Sequence, residues 1–426
     1  MTESTRRNAA DAGLEAMVAE LEEFYRDIHQ HPELSMQEHR TAHKAAERLQ
    51  AAGYDVTRRV GSTGVVGVLS NGDGPTVMLR ADMDALPVRE ATGLPYASTA
   101  MATDPDGNEV PVMHACGHDM HVTWLVGATA LLAEARGAWH GTVLAVFQPA
   151  EETAQGAQAM IDDGLFDRFP KPQVILGQHV LPGPAGAVSY RPGTTQAAAD
   201  SLEVRLFGRG AHGSMPESSV DPVVMAAATV LRLQTIVSRE VAASQAAVVT
   251  IGALQSGTKD NVIPDEALLK LNVRTFDEQV RTHVLDAIKR IVEAEATASG
   301  APRPPQITMT EHYPLTVNDP DSTARVAAAL LGRFGDDRVH ELASPVSASE
   351  DFGSFGTEWG VPSVFWYVGG TDADAYRQAE QAGRVAQDIP TNHNAGFAPV
   401  IHPTLEVGVQ AITTAALDAL TAQQDS

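Results

Sequence analysis

Ser201-Leu202-Glu203-Val204-Arg205-Leu206 alternates polar and apolar side chains without a break. A run of period two is a strand with one wet face. The strands upstream read differently. Thr76-Val77-Met78-Leu79, Thr142-Val143-Leu144-Ala145-Val146-Phe147 and Gln173-Val174-Ile175-Leu176-Gly177 are almost continuously apolar. Helical patterns lie between them, which predicts an α/β sheet covered on both faces. The change of texture near residue 192 therefore marks a second domain. After Phe207, Asp221-Pro222 caps and opens a helix to about 239. Strands follow at 247–254 and 267–276, and Asp277 opens a helix to about 298. Pro302 to Pro305 breaks the chain before a last strand at 306–310. This order, β-α-β-β-α-β, is the ferredoxin-like unit. The α/β pattern then resumes with a helix at 322–334, a strand at 363–368 and a helix at 403–422. The expected fold class is α/β: a discontinuous domain, 1–192 and 310–426, with a mixed sheet, interrupted by an α+β domain at 193–309.

The front of the chain is helical. Leu14, Met17, Val18, Leu21, Phe24, Tyr25 and Ile28 recur at helical spacing, and Pro32 stops the run. A second helix is expected from about 38 to 52, with Gly53 as its C-cap. His29, His31, His39 and His43 fall at helical or near-helical spacing. They read as a solvated helix face, with a separate metal site as the alternative.

Lys+Arg 30 against Asp+Glu 54 gives the 426-residue chain a net charge of -24. That charge argues against nucleic acid and against anionic membrane surfaces as partners. A site for an acidic ligand must then carry local positive charge from metal or arginine. The one cysteine rules out an internal disulfide and suggests a reducing compartment. Arg6-Arg7 is followed by no apolar run, and no stretch of the sequence is apolar enough to span a bilayer. The expected location is the cytoplasm.

That cysteine sits in His114-Ala115-Cys116-Gly117-His118-Asp119-Met120-His121. A thiolate and an imidazole two residues apart can turn toward one borderline-soft divalent cation. A helix is expected from about 122 to 135, and its N-terminus would favour the thiolate. Gln148-Pro149-Ala150-Glu151-Glu152 follows a buried-type strand. Two carboxylates there are costly unless solvated, paired or on a metal. His179 follows the next apolar strand, and Thr391-Asn392-His393-Asn394 follows a proline. Sites in open α/β sheets gather at the carboxyl ends of strands. Cys116, His118, Glu152, His179 and His393 are too many ligands for one tetrahedral ion and suit two divalent cations. Zinc suits the Cys and His donors, and manganese, cobalt or nickel also suit a site with a carboxylate. Such a pair can acidify a water and polarise a carbonyl. Glu151 is then the candidate general base, since Glu152 would be held by metal. His114, Asp119 and His121 are expected to orient the ligands.

Several ordered motifs carry a resemblance over nearly the whole chain, about 20 to 420. They are Ile28-His29-Gln30-His31-Pro32-Glu33-Leu34, Leu79-Arg80-Ala81-Asp82-Met83-Asp84-Ala85-Leu86-Pro87, the cysteine segment, 148–152, 208–216, Asn261-Val262-Ile263-Pro264 and Glu350-Asp351-Phe352. The chain resembles the amidohydrolase branch of the metal-dependent aminoacylase/carboxypeptidase superfamily. That branch includes hippurate hydrolases, N-acyl-amino-acid amidohydrolases and auxin-conjugate hydrolases. The resemblance implies a catalytic α/β domain, a lid and dimerisation domain inserted in it, and a homodimer. It maps ligation onto the five side chains above and the base onto Glu151, and leaves open which ligand bridges the metals. Asp84 falls where relatives have an aspartate supporting a metal-bound histidine. Asp82-Met83-Asp84 itself holds no histidine, which marks the amidohydrolase branch. In Gly208-Arg209-Gly210-Ala211-His212-Gly213-Ser214, His212 is implied to bind the substrate carbonyl oxygen, with Asn261 nearby on the lid. Arg274 is either a strand-face charge or a bidentate grip on an amino-acid carboxylate. The implied reaction is hydrolysis of an N-acyl amino acid to a carboxylate and a free amino acid. A dipeptidase or carboxypeptidase-type metallopeptidase, or a catalytically silent binding protein on the same fold, are the alternatives.

Overall fold

The computed structural model describes the backbone of residues 3–421 and the side chains of 13–421. The outer ends of the expected 1–192 and 310–426 segments and the Arg6-Arg7 side chains lie outside the described residues. Two compact units emerge: Met1–Thr195, Val317–Ser344 and Asp351–Ser426 form one, and Gln196–Thr316 with Pro345–Glu350 the other. Against the expected 193–309 segment, the second unit runs further along the chain. Its last strand continues to Tyr313, and a short return at 345–350 belongs to it.

The first unit is built on a mixed sheet. Among the described residues its eight strands lie in the order Asp55–Val60, Gly64–Asn71, Gly141–Gln148, Thr76–Asp82, Val174–Pro184, Ser363–Thr371, Val188–Tyr190 and Val339–Glu341. The central strands Gly141–Gln148, Thr76–Asp82, Val174–Pro184 and Ser363–Thr371 are parallel. Three of them are buried almost throughout, and Val174–Pro184 is buried from Ile175 to Val180, which explains their apolar runs. The edge pair Asp55–Val60 and Gly64–Asn71 is antiparallel.

Helix His118–Glu134 is buried on nearly all sides, as a helix apolar all round must be. It packs against Glu3–Gln30 and Ile401–Thr421. A Cβ at Gly408 would meet the Trp124 ring at 2.0 Å, so this close helix approach requires glycine. The helix begins at His118, not near residue 122 as expected. Gly117 at φ 82 turns the chain into it, and a Cβ there would lie 2.4 Å from Val180 Cγ1.

The histidine-rich front corrects a second expectation. His29 is not on a solvated face; it is fully buried. Its Nδ1 lies 2.6 Å from Asp119 and its Nε2 3.1 Å from Glu90. Burial opposes its charge, but Asp119 and Glu90 raise its pKa to about 9. No candidate metal group among the described residues includes His29, His31, His39 or His43.

The second unit is antiparallel, in the order Ala247–Ser256, Glu266–Thr275, Ala198–Phe207 and Gln306–Tyr313. Helices Pro222–Thr235 and Glu278–Ala298 pack on it, capped by Asp221 and Asp277. Chain order and strand order together are those of a ferredoxin-like fold. No helix among the described residues is long and apolar enough to cross a membrane.

Candidate metal centre

Four segments of the first unit bring their side chains to one place. Cys116 lies in the loop that Gly117 turns into the buried helix. Glu151 and Glu152 open a single 3-10 turn just past the Gly141–Gln148 strand. His179 lies within the Val174–Pro184 strand, which runs further than the expected 173–177, and pairs with Tyr367. His393 returns from far along the chain, in a left-handed turn at φ 69, and its N–H donates to the Ala115 carbonyl at 2.8 Å.

Their ligand atoms form overlapping groups, each within 4.8 Å: Cys116, His118 and His179; Cys116, Glu152 and His393; His118, Glu151 and Glu152. Cys116 Sγ is 3.5 Å from His179 Nε2. His118 Nε2 is 3.8 Å from Glu152 Oε1 and 4.0 Å from Glu151 Oε2. His393 Nε2 is 3.3 Å from Glu152 Oε2. His118, Cys116, Glu151 and His179 are buried, while the His393 side chain is 56% exposed.

The outer contacts aim these groups. His179 Nδ1 donates to the Val180 carbonyl at 2.7 Å, which turns the Nε2 lone pair toward Cys116. Asp84 accepts from His118 Nδ1 at 3.2 Å with one oxygen and from the Glu152 N–H at 3.0 Å with the other. It thereby joins the two motifs. His121 bonds Asp82 at 2.5 Å and accepts from the Val180 N–H at 2.9 Å. His114 has no hydrogen-bond partner at either ring nitrogen, and burial lowers its pKa to about 4.

Two residues that sequence reasoning left without a role hold the carboxylate turn. Ala150 is left-handed at φ 48, and its N–H donates to Glu38 at 2.8 Å. Glu38 also accepts from the Met36 N–H and the Thr63 hydroxyl, and burial, then Asp84, push its pKa up to about 7. Arg80 is buried and donates to Gln148, Asp82 and Asp351. The signal available beforehand was two charges inside apolar surroundings, Arg80 on a buried-type strand and Glu38 beside a buried helix face.

Electrostatics decide the resting state of the site. Burial, followed by Glu152, Glu151 and Asp82, pushes the Cys116 thiol well above its ordinary range. Burial and these three carboxylates act on the thiol against the helix N-terminus, which favours negative charge. Burial opposes charge on His118, yet Asp82, Asp84 and Glu152 raise it to about 10. Burial holds His179 well below its ordinary value. The cluster is a surplus of buried acid without enough cation. His118 Nε2 and Glu152 Oε1 are both buried and both lack a hydrogen-bond partner among the described residues. Buried polar atoms of this kind are rare unless something binds there. The donor set, one thiol, three imidazoles and a carboxylate, fits borderline divalent cations.

The remaining expected residues lie in the second unit. His212 is exposed, in a two-residue strand, Ala211–His212, paired with Val262–Ile263. A strand there was not expected from a histidine among glycines. Ser214 hydroxyl lies 2.8 Å from His212 Nδ1, and the Gly213 N–H donates to the Asn261 carbonyl at 2.8 Å. His212 and Asn261 thus share one ribbon. Arg274 Nη1 donates to the Ser347 carbonyl at 2.7 Å and lies 3.1 Å from the Ser349 hydroxyl.

A profile described as peptidase family M20/M25/M40 matches residues 78–392. The match takes in Cys116, His118, Glu151, Glu152 and His179 and stops one residue before His393. A hippurate hydrolase of Campylobacter jejuni is 39% identical over 79% of this chain and 85% of that protein. An N-acetylcysteine deacetylase of Bacillus subtilis is 34% identical over 89% of this chain and 96% of that protein. A solved Bacillus subtilis protein, described as a dinuclear metal binding peptidase from the M20 family, superimposes with a TM-score of 0.75. It is 29% identical, and the match covers 95% of this chain and 99% of that one.

Proposed function

The chain belongs to peptidase family M20/M25/M40, hydrolases acting on amide bonds, and we propose that it cleaves N-acyl amino acids to a carboxylate and a free amino acid. The observation that carries this reading is the convergence of Cys116, His118, Glu152, His179 and His393 around two orphaned buried atoms, with Glu151 beside them. A pair of divalent cations, manganese or zinc before cobalt or nickel, would be held by those five side chains and would supply an acidified water and a Lewis acid for the amide oxygen.

The protein's own groups do the rest. Glu151 accepts the water's proton on its carboxylate and delivers it to the leaving amine nitrogen. Asp84 orients His118 through Nδ1. His212 and Asn261 are assigned to the substrate carbonyl oxygen, where negative charge develops. Arg274 is assigned to the substrate carboxylate, the local positive charge an acidic ligand needs on a chain of net charge -24. The first motif, Asp82-Met83-Asp84, lacks a histidine, which favours an acylated substrate over a peptide with a free amine. The proposed assembly is a homodimer through the second unit. Val224 and Leu231 on its helix and Val248 and Leu254 on its edge strand are exposed, the kind of apolar surface a partner copy covers. The proposed location is the cytoplasm.

The test is a panel of N-benzoyl, N-acetyl, N-indolylacetyl and N-fatty-acyl amino acids beside unblocked dipeptides, with manganese or zinc. Release of amino acid from acylated members only is the expected result. Turnover of the dipeptides alone would replace this reading with a dipeptidase, and no turnover of any member would favour a binding protein.

A further inference from the structure

Asn392 precedes His393 on the returning segment. Its Nδ2 lies 3.2 Å from the Cys116 carbonyl oxygen and 3.2 Å from the Val180 carbonyl oxygen. The same atom is 3.7 Å from Cys116 Sγ. Two carbonyl acceptors fix which way the amide points, because its oxygen in that place would face two oxygens. One N–H is directed at the neighbouring strand, and the other is shared between the Cys116 carbonyl oxygen and its sulfur.

The Val180 carbonyl has a second donor. His179 Nδ1 lies 2.7 Å from it, and a carbonyl oxygen has two lone pairs. One backbone oxygen therefore orients both the Asn392 amide and the His179 ring. The circuit closes where His179 Nε2 meets Cys116 Sγ at 3.5 Å. A second tie runs from the His393 N–H to the Ala115 carbonyl at 2.8 Å. Three candidate ligands from three parts of the chain thus meet around one side-chain amide.

We propose that Asn392 is a positioning residue of the metal centre, holding the Cys116 sulfur in register with His179 and His393 and donating a hydrogen bond to it. This rests on the reading that Cys116 binds metal. Outer groups that bond a ligand set its direction and its donor strength, and their loss weakens metal binding by about 10- to 100-fold. Asn392 sets the affinity and electronic character of the sulfur–metal bond, while proton transfer stays with Glu151.

The experiment uses the full chain loaded with cobalt(II), followed by the sulfur-to-cobalt charge-transfer absorption and by competition with a chelator. Asn392→Leu keeps the volume without donors, and Asn392→Asp keeps the shape with acceptors only. Both should bind cobalt about 10- to 100-fold more weakly, with a shifted or weakened sulfur band, while the metal-free proteins melt close to wild type. Asn394→Ala controls for the loop, since its side chain accepts from the Gly396 N–H at 2.8 Å within the same turn, and should leave affinity and band unchanged. Wild-type affinity and band in both Asn392 variants would overturn the proposal, as would equal losses in Asn394→Ala. A wild-type protein that binds cobalt without any sulfur band would remove Cys116 from the ligands. That result defeats the metal reading as well, so the two failures are distinguishable.

Discussion

His118 Nε2 and Glu152 Oε1 face each other at 3.8 Å, both buried and neither hydrogen-bonded. Leaving such a pair unsatisfied costs roughly 1–3 kcal/mol per group. Around them stand Glu151, Asp82 and Asp84, with Arg80 donating to Asp82. A divalent cation satisfies the orphaned atoms and offsets the surplus of negative charge at once. Metal should therefore act on folding stability as well as on activity. Chelator-treated protein is expected to melt several degrees lower, with manganese or zinc restoring the difference, because a ligand bound only by the folded state stabilises it by mass action. Calorimetric scans that coincide with and without metal would contradict this.

Glu151 and Glu152 are neighbours with different assignments, and substitution separates them. Glu151→Gln should retain its metals and lose about a hundred- to ten-thousand-fold in kcat, the scale of general acid–base catalysis. Glu152→Gln should lose metal affinity first. The pair of measurements is kcat at saturating metal together with metal content, and near wild-type kcat in Glu151→Gln would remove that residue from the role.

Glu38 clasps the turn that presents both carboxylates. Truncation in Glu38→Ala leaves the Ala150 and Met36 N–H groups and the Thr63 hydroxyl without their acceptor. The expected loss is about 2–4 kcal/mol in chemical denaturation, together with a fall in kcat larger than any rise in KM. Unchanged stability would show that the left-handed turn at Ala150 holds without it.

His29 gives the fold a pH dependence whose sign is fixed by its partners. A histidine in the unfolded chain titrates near pH 6.5. In the folded state burial opposes the charge, but Asp119 and Glu90 hold the proton to about 9. A folded pKa above the unfolded one contributes stability that is complete below pH 6.5 and lost as pH rises through 9. The contribution is about 3 kcal/mol, and melts across that window should flatten in His29→Gln. A variant that falls as steeply as wild type would assign the slope elsewhere.

The legible parts of this fold were those decided locally. Continuous apolar runs identified the parallel strands, alternation from Ser201 identified the antiparallel unit, and Asp221 and Asp277 announced the helices they cap. The six side chains of the centre stood out because each lies in a short polar segment beside an apolar one. What sequence could not give was set by partners far along the chain. His29 has helical spacing whether it faces water or the core, and Asp119, ninety positions away, decides it. Arg274 meets Ser347 seventy-three positions on, which no strand pattern announces. The carboxylates that gather about Cys116 come from Glu151, Glu152 and Asp82, far along the chain from it, and no local pattern announces them.

Anomalous diffraction from crystals of the metal-loaded protein tests the central claim most directly. The account predicts two neighbouring peaks, with Cys116, His118, Glu152, His179 and His393 as their protein ligands and Glu151 outside the coordination. A single peak, or peaks elsewhere with Cys116 and His393 uncoordinated, would contradict it.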